Sequence, residues 1–171
     1  MKLTAIQGDI AAQRADALVD AASTSLEMGS GVAGALRRRA GGPINEEATS
    51  NGPVELGEVV VTDAYGLEAT YVIHAAAMPH YGDRKATEES IRLASRNTLE
   101  TADELGCESL VIPVLGTGVA GFDFEDGAQV ICEEITDYDP ARLTDVRVIA
   151  YTDADYEQLQ TVVGRLTNSQ R

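Results

Sequence analysis

The feature that most constrains the fold is a regular alternation of short apolar runs with amphipathic helical patterns. The apolar runs are rich in Val, Ile and Ala, which is typical of strands buried on both faces of a sheet. Alternation over 171 residues predicts one three-layer α/β/α domain. Strands are predicted at 2–6, 17–21, 58–63, 71–75, 110–114 and 146–151, and helices at 31–40, 87–105, 126–138 and 153–166.

The charge balance is strongly acidic, with 28 Asp and Glu against 13 Lys and Arg and a formal net charge of −15. The acidic residues are spread along the chain, and only Lys2 and Lys85 are lysines. This pattern is typical of proteins from a high-salt cytoplasm, where salt screening weakens the repulsion between like charges. We expect a halophilic archaeal protein; the alternative is an ordinary acidic soluble protein. Because the field repels polyanions, binding to bare nucleic acid is not expected.

Several classes of site and location are disfavoured by the sequence. No apolar run approaches the roughly 18 residues of a membrane span, and the N-terminus lacks signal-peptide features, so we expect a cytoplasmic protein without a membrane partner. Cys107 and Cys132 have no basic neighbour and are predicted to be reduced, partly buried thiols. His74 and His80 have no third ligand nearby and are predicted to be structural or exposed, so neither a metal nor another cofactor is expected.

A first glycine-rich segment, Gly29-Ser30-Gly31, precedes the helix predicted from residue 31. A helix N-terminus offers free N–H groups and partial positive charge, which allows an acidic protein to hold a phosphate. With Gly34 the segment matches the dinucleotide fingerprint, but the long stretch after the strand at 17–21 weakens that match. The three arginines at 37–39 are predicted to form a solvated face, because successive helix residues point in different directions.

A second glycine-rich segment, residues 116–121, joins the strand at 110–114 to the helix at 126–138. In an α/β sheet, two loops at the carboxyl ends of strands can face one crevice. Two phosphate-binding loops in one crevice suit a diphosphate better than a single phosphate. Asp9, just after the first strand, either accepts a hydrogen bond from a ligand amine or caps a turn.

In their order along the chain, these motifs resemble those of the macro domain family. The resemblance extends from about residue 3 to 166 and implies a single macro domain, residues 1–171, with a central mixed, mostly parallel sheet of about six strands. Macro domains bind ADP-ribose and related metabolites, and some hydrolyse ADP-ribosyl bonds. The motifs are Gly8-Asp9-Ile10, Asp20-Ala21-Ala22-Ser23 with Leu26, Gly29-Ser30-Gly31-Val32, residues 57–62, Tyr71-Val72-Ile73-His74 and residues 113–118.

The resemblance also implies a role for individual residues. Asp9 would accept the adenine amino group with Ile10 beside it, and Tyr151 would stack on adenine unless it is an ordinary half-buried strand tyrosine. Ser23 would contact the distal ribose. One phosphate would be held by Gly29, Ser30, Gly31, Val32 and Ala33. The other phosphate and the distal ribose would be wrapped by Gly116, Thr117, Gly118, Val119, Ala120, Gly121 and Phe122.

The sequence departs from the family pattern after the strand that contains His74, where Ala75-Ala76-Ala77-Met78-Pro79 replaces the usual Gly-Pro, and at four positions of the predicted site. Asp20 and Ser23 stand where the family usually has Asn, and Ala33 stands where hydrolytic members frequently have Asp. Ala120 replaces an aromatic residue that often faces the distal ribose, with Phe122 two positions on. These changes concern mainly the distal ribose, and the glycines of both loops are retained. Binding of the ADP part is therefore predicted more strongly than chemistry at the distal ribose.

Three functions are therefore considered. The first and favoured one is binding of ADP-ribose or its derivatives, with weak hydrolase activity possible. The second is a true ADP-ribosyl hydrolase, or an enzyme that processes ADP-ribose-1''-phosphate or O-acetyl-ADP-ribose, in which Asp20 would act as a base; the alternative is that Asp20 makes structural hydrogen bonds. The third is a scaffold that binds no ligand. The expected partner is ADP-ribose, or an ADP-ribosylated small molecule or protein.

Overall fold

The computed structural model describes residues 1–169, in which six strands form one sheet with helices on both faces. The strand order is β1-β6-β5-β2-β4-β3, and every neighbouring pair is parallel except β3 and β4. The predicted three-layer α/β/α fold with a mixed, mostly parallel sheet is confirmed. The strands are β1 (Lys2–Gln7), β2 (Ala17–Ser23), β3 (Val59–Asp63), β4 (Tyr71–Met78), β5 (Ser109–Pro113) and β6 (Asp145–Ala150). The helices are α1 (Gly31–Ala40), α2 (Ile44–Thr49), α3 (Glu88–Glu104), α4 (Phe124–Asp137) and α5 (Asp153–Ser169), with a short 3₁₀ helix at Ile10–Ala12.

Two short helical elements and the length of β4 differ from the prediction. Helix α2 was not predicted because it is only one and a half turns long and buries only Ile44 and Ala48, too few positions to show a helical period. The 3₁₀ helix is shorter still. Strand β4 continues to Met78 rather than ending at 75, because its alanines pair with β2 in the middle of the sheet despite the weak strand preference of Ala.

The sheet carries a separate hydrophobic core on each face. On β2, Val19 lies in a cluster with Ile91 of α3 and Ile131 of α4, whereas its neighbour Leu18 lies in a cluster with Leu36 of α1. Alternate residues of one strand thus supply two cores, as expected for a strand covered on both faces. The helix layers leave the carboxyl edge of the sheet for the connecting loops.

Both thiols belong to this interior. Cys107 and Cys132 are free and buried. Burial raises the pKa of the Cys107 thiol to about 11 and that of the Cys132 thiol to about 12, so both stay protonated at neutral pH. This environment is in keeping with the predicted reduced state, but both thiols are fully and not partly buried, because each belongs to the core between the sheet and the helices. Among residues 1–169, no helix combines the length and apolar character needed to cross a membrane.

A buried carboxylate at the end of α3 fixes the connection between α4 and β6. Asp103 accepts hydrogen bonds from the hydroxyl of Tyr138 (2.8 Å) and from the backbone N–H groups of Ala141 (2.8 Å), Arg142 (2.6 Å) and Leu143 (3.0 Å). Burial alone would raise the pKa of Asp103, but these four donors outweigh it and lower the pKa to about 2.

We expect Asp103→Asn to reduce the free energy of unfolding by about 2 kcal/mol at neutral pH. The folded-state pKa is depressed, so this contribution is complete above the ordinary Asp pKa and is lost as the pH falls from about 4 toward 2. Urea denaturation of wild type and variant between pH 7 and pH 2.5 measures it. The difference in unfolding free energy between the two proteins should narrow to less than half as the pH falls to 2.5, while the exposed Asp139→Asn control should show no comparable difference at any pH.

Candidate functional site

Five consecutive strand ends form one cleft. The carboxyl ends of β1, β6, β5, β2 and β4 lie side by side along one edge of the sheet. Since neighbouring strands are about 4.8 Å apart, this edge extends over roughly 19 Å. The cleft along it has a volume of about 710 Å³. Such an edge is where α/β folds collect ligands.

Almost all residues predicted to bind a ligand line this cleft. Those that do are Asp9, Ile10, Ser23, Gly29, Ser30, Gly31, Val32, Ala33, Gly116, Thr117, Gly118, Val119, Ala120 and Tyr151. Gly121, Phe122 and Asp20 do not line it. The structure therefore brings together the two glycine loops and Asp9, as the sequence predicted, and their contacts with a ligand remain a prediction.

The first glycine loop leads into α1 with unused backbone donors. The N-cap residue, Ser30, makes no side-chain hydrogen bond to the helix. Within residues 1–169, the N–H groups of Gly31, Val32 and Ala33 have no acceptor. Gly31 has a φ of 61°, which favours glycine, and a Cβ there would meet no atom within 4 Å. The loop thus presents N–H groups and open space together, a geometry suited to an anion.

The second glycine loop is fixed by its own hydrogen bonds and has backbone N–H groups left free. Gly116 accepts a hydrogen bond from the N–H of Phe122 (3.0 Å), and the hydroxyl of Thr117 donates to Val114 O (2.8 Å). In the described part of the chain, the N–H groups of residues 117–120 have no acceptor. A Cβ on Gly118 would meet nothing within 4 Å. This loop therefore offers a second set of free donors next to the first.

The aromatic side chain that lines the cleft near this loop is Phe124, not the predicted Phe122. Phe122 packs against the core beneath α3–α5 and lies close to Gly127 of α4. The two rings are two residues apart, and the turn before α4 decides which one faces the cleft. Gly121 lies beside Lys85, outside the lining, with its N–H bonded to Gly118 O.

At the β1 end of the cleft, Asp9 caps the 3₁₀ helix and also faces the cleft. Its Oδ1 accepts a hydrogen bond from the N–H of Ala11 (2.9 Å), while Oδ2 has no partner among residues 1–169. Both interpretations of Asp9 are therefore compatible. Tyr151 follows β6 rather than lying within it and is 76% exposed, so the half-buried strand alternative is wrong. Val119 is equally exposed, and the two side chains give this part of the cleft an apolar rim.

Asp20 lies in the interior of the protein rather than in the cleft. It is fully buried, and its Oδ2 is 2.8 Å from Nδ1 of His74, whose Nε2 is 2.9 Å from the hydroxyl of Thr62. A carboxylate in this position has no access to a ligand in the cleft. The geometry supports the structural alternative for Asp20 and shows the predicted structural role of His74.

Four charged residues that the sequence did not predict to bind a ligand also line the cleft: Glu27, Arg38, Arg84 and Asp155. Arg38 is exposed, as predicted, but it also lines the cleft, and its Nη1 lies 3.2 Å from the position that a Cβ on Gly34 would take. The guanidinium therefore folds back along α1 toward the first loop, in the space left by Gly34. The spacing of four residues between Gly34 and Arg38 was a usable signal. Arg84 has a φ of 58° in the segment after β4, which sequence patterns do not reveal.

The fold and the cleft define a three-layer α/β/α protein with a ligand-sized cleft across the carboxyl ends of its parallel strands. A family model described as "Macro domain" matches residues 19–131. An uncharacterized protein of Sulfolobus acidocaldarius is 40% identical over 159 residues, which cover 91% of this chain and 86% of that protein. An uncharacterized protein of Mycobacterium bovis is 38% identical over 154 residues, 90% of this chain but only 42% of that longer protein. The chain belongs to the macro domain family.

Solved structures show the same fold. The Oceanobacillus iheyensis macrodomain with ADP has a TM-score of 0.87 at 24% identity, covering 96% of this chain and 91% of that chain. The Trypanosoma brucei macrodomain in complex with ADP-ribose has a TM-score of 0.84 at 25% identity, covering 95% of this chain and 69% of that chain.

We expect Gly116→Ala to lower the free energy of unfolding by about 2–4 kcal/mol. Gly116 has a φ of 79°, and an added Cβ would come within 2.7 Å of Ala86 Cβ and 2.9 Å of Ile91 Cδ1, both on buried residues. Chemical denaturation measures the loss. The matched control is Gly118→Ala in the same loop, where a Cβ has free space, and its free energy of unfolding should stay within about 0.5 kcal/mol of wild type.

We expect Asp20→Ala to lower the free energy of unfolding by about 3 kcal/mol, because it leaves Nδ1 of the fully buried His74 without a partner. Asp20→Asn keeps an acceptor oxygen in place and should lose less than half as much. Thermal and urea unfolding of the two variants distinguish them. Equal stability of wild type and Asp20→Ala would contradict a structural role.

Proposed function

We propose that the cleft binds ADP-ribose or an ADP-ribose derivative. The observation that supports this best is the order of groups along the strand ends. A hydrogen-bond acceptor and an aromatic ring, Asp9 and Tyr151, lie at the β1–β6 end. The two donor loops lie in the middle, after β5 and β2. Polar and charged side chains lie beyond them, at the β2–β4 end.

The β1–β6 end suits adenine. The free Oδ2 of Asp9 can accept a hydrogen bond from the exocyclic amine, and the exposed ring of Tyr151 offers a stacking surface. In this arrangement Asp9 also stays fixed by its bond to Ala11, so its carboxylate need not be ordered upon binding.

The middle of the cleft suits a diphosphate. The residues that carry the unused N–H groups of α1 and of the segment 117–120 line this part of the cleft, and the α1 macrodipole adds partial positive charge. Arg38 adds a full positive charge beside the first loop. In a chain with a net charge of −15, these local donors are what can offset the repulsion of an anion.

The solved relatives agree with this assignment. The Oceanobacillus iheyensis macrodomain structure contains ADP, and the Trypanosoma brucei structure contains ADP-ribose. Both match this chain over at least 95% of its length. A ligand with adenine, diphosphate and a second ribose in series fits a cleft that crosses five strand ends.

Binding, rather than turnover, is the activity that the cleft supports best. Ala33 is apolar, and the carboxylate of Asp20 is sealed in the interior. Weak hydrolysis of an ADP-ribosyl bond is the second candidate, because Glu27 supplies a carboxylate in the cleft. Release of ADP-ribose from a mono-ADP-ribosylated protein tests it. If Asp20→Asn releases ADP-ribose at the wild-type rate, Asp20 is not the catalytic base.

The proposed setting is a high-salt cytoplasm, in accord with the dispersed acidic charge and the scarcity of lysine. The proposed partners are free ADP-ribose and ADP-ribosylated small molecules or proteins, and not bare nucleic acid or a membrane. Binding assays should therefore be made in molar KCl as well as at low salt.

We expect calorimetry to detect binding of ADP-ribose to wild type, and Arg38→Gln to weaken it about fivefold, because one charge near the diphosphate is removed. The weakening should shrink at high salt, where screening reduces the contribution of Arg38.

The matched control for this prediction is Arg39→Gln, the next residue on α1, which is also exposed and does not line the cleft. Its affinity should equal that of wild type. Absence of ADP-ribose binding by wild type at millimolar ligand and at both salt concentrations would overturn the proposed function.

A further inference from the structure

We propose that Glu27 is the residue that contacts the terminal ribose, and that it makes the cleft selective for an unphosphorylated ribose. This inference rests on the proposed function, since it concerns the far end of the same ligand. Glu27 lines the cleft in the segment after β2. Because β5 separates β2 from β6 in the sheet, Glu27 lies away from Asp9 and Tyr151, which follow β1 and β6.

The backbone on both sides of Glu27 is firmly anchored. Leu26 and Met28 are 0% and 1% exposed, whereas Glu27 between them is exposed. The N–H of Leu26 donates to Ser23 O (3.0 Å), and the N–H of Met28 donates to Asn45 Oδ1 (2.9 Å). Two buried neighbours oblige the intervening side chain to point outward, and here outward is the cleft.

This anchoring includes a strained conformation. Leu26 has a φ of 66°, a left-handed value that residues with a side chain rarely adopt. Such conformations persist where the surrounding structure enforces them, and they concentrate at ligand-binding sites. The consequence here is a sharp change of direction that places residues 25 and 27 along the cleft and residue 26 in the core.

The carboxylate of Glu27 is not used by the protein. Among residues 1–169 it has no hydrogen bond and no ion pair, and only its backbone N–H is bonded, to Ser25 Oγ (3.3 Å). The hydroxyl of Ser23 is already paired with that of Ser25 (2.8 Å). Glu27 is therefore the free carboxylate at the β2–β4 end, since the other two carboxylates of the lining, Asp9 and Asp155, follow β1 and β6.

The chemistry of a carboxylate determines which terminal group it accepts. An ionised carboxylate has acceptors only, and its two oxygens match the two adjacent hydroxyls of a ribose. The same charge repels a phosphate at that position. A free ribose diol is thus favoured over a phosphorylated ribose, and ADP, which lacks this ribose, gains nothing from Glu27.

Calorimetry with three ligands tests the inference: ADP, ADP-ribose and ADP-ribose phosphorylated on its terminal ribose. For ADP-ribose, we expect Glu27→Gln to reduce affinity about tenfold and Glu27→Ala to reduce it further, because bonds to a charged acceptor are among the stronger ones. Affinity for ADP should be unchanged in both variants. The ratio of the affinity for ADP-ribose to that for its phosphorylated form should fall by more than tenfold in Glu27→Gln, because this variant also loses the repulsion of the phosphate.

A matched control is Glu46→Gln on α2, which removes one exposed carboxylate outside the cleft and should change no affinity. The role of Glu27 is refuted, and the proposed function stands, if wild type binds both ligands and the ratio of the affinity for ADP-ribose to that for ADP is the same in wild type and in both Glu27 variants. If wild type binds neither ligand, the proposed function fails and this inference fails with it.

Discussion

The parallel pairing of five adjacent strands is the constraint on which the rest of the structure depends. Because β1, β6, β5, β2 and β4 run in one direction, all their carboxyl ends meet at one edge, and each loop that leaves this edge contributes to one cleft. The backbone hydrogen bonds of the sheet determine the order in which those loops lie along the cleft. The order of chemical groups that a ligand meets is therefore a property of strand order and not of chain order.

The acidic surface and the donor-rich cleft are two parts of one electrostatic arrangement. Acidic residues outnumber basic ones by 28 to 13. Several arginines are paired with carboxylates, as in the contacts of Arg92 and Arg96 with Glu134. Arg38 and Arg84 line the cleft without an ion pair among residues 1–169. Backbone N–H groups and these two side chains make the cleft a local exception, which allows anion binding without a basic surface.

The sequence was sufficient for whatever depends on local patterns. Apolar runs located the strands, and glycines after β2 and β5 located both loops. What it could not supply depends on contacts distant in sequence. The side chain of Asp20 is held in the interior by its hydrogen bond with His74, 54 residues away in the sequence. Glu27 is directed into it by the burial of Leu26 and Met28, and Arg38 by the space at Gly34. The direction of the side chains at these positions is determined by tertiary packing, and such packing leaves no periodic pattern in the sequence.

The empty space above Gly118 has a practical consequence for chemical labelling. Both native cysteines are buried and hold their protons, so neither competes for a thiol-reactive probe at neutral pH. A cysteine placed at position 118 would be exposed in the lining of the cleft, and its Cβ would meet no atom within 4 Å. A fluorophore attached there would report on ligand occupancy of the region proposed to bind the diphosphate, and a fragment linked to the same position by a disulfide would serve as an anchor for covalent ligands.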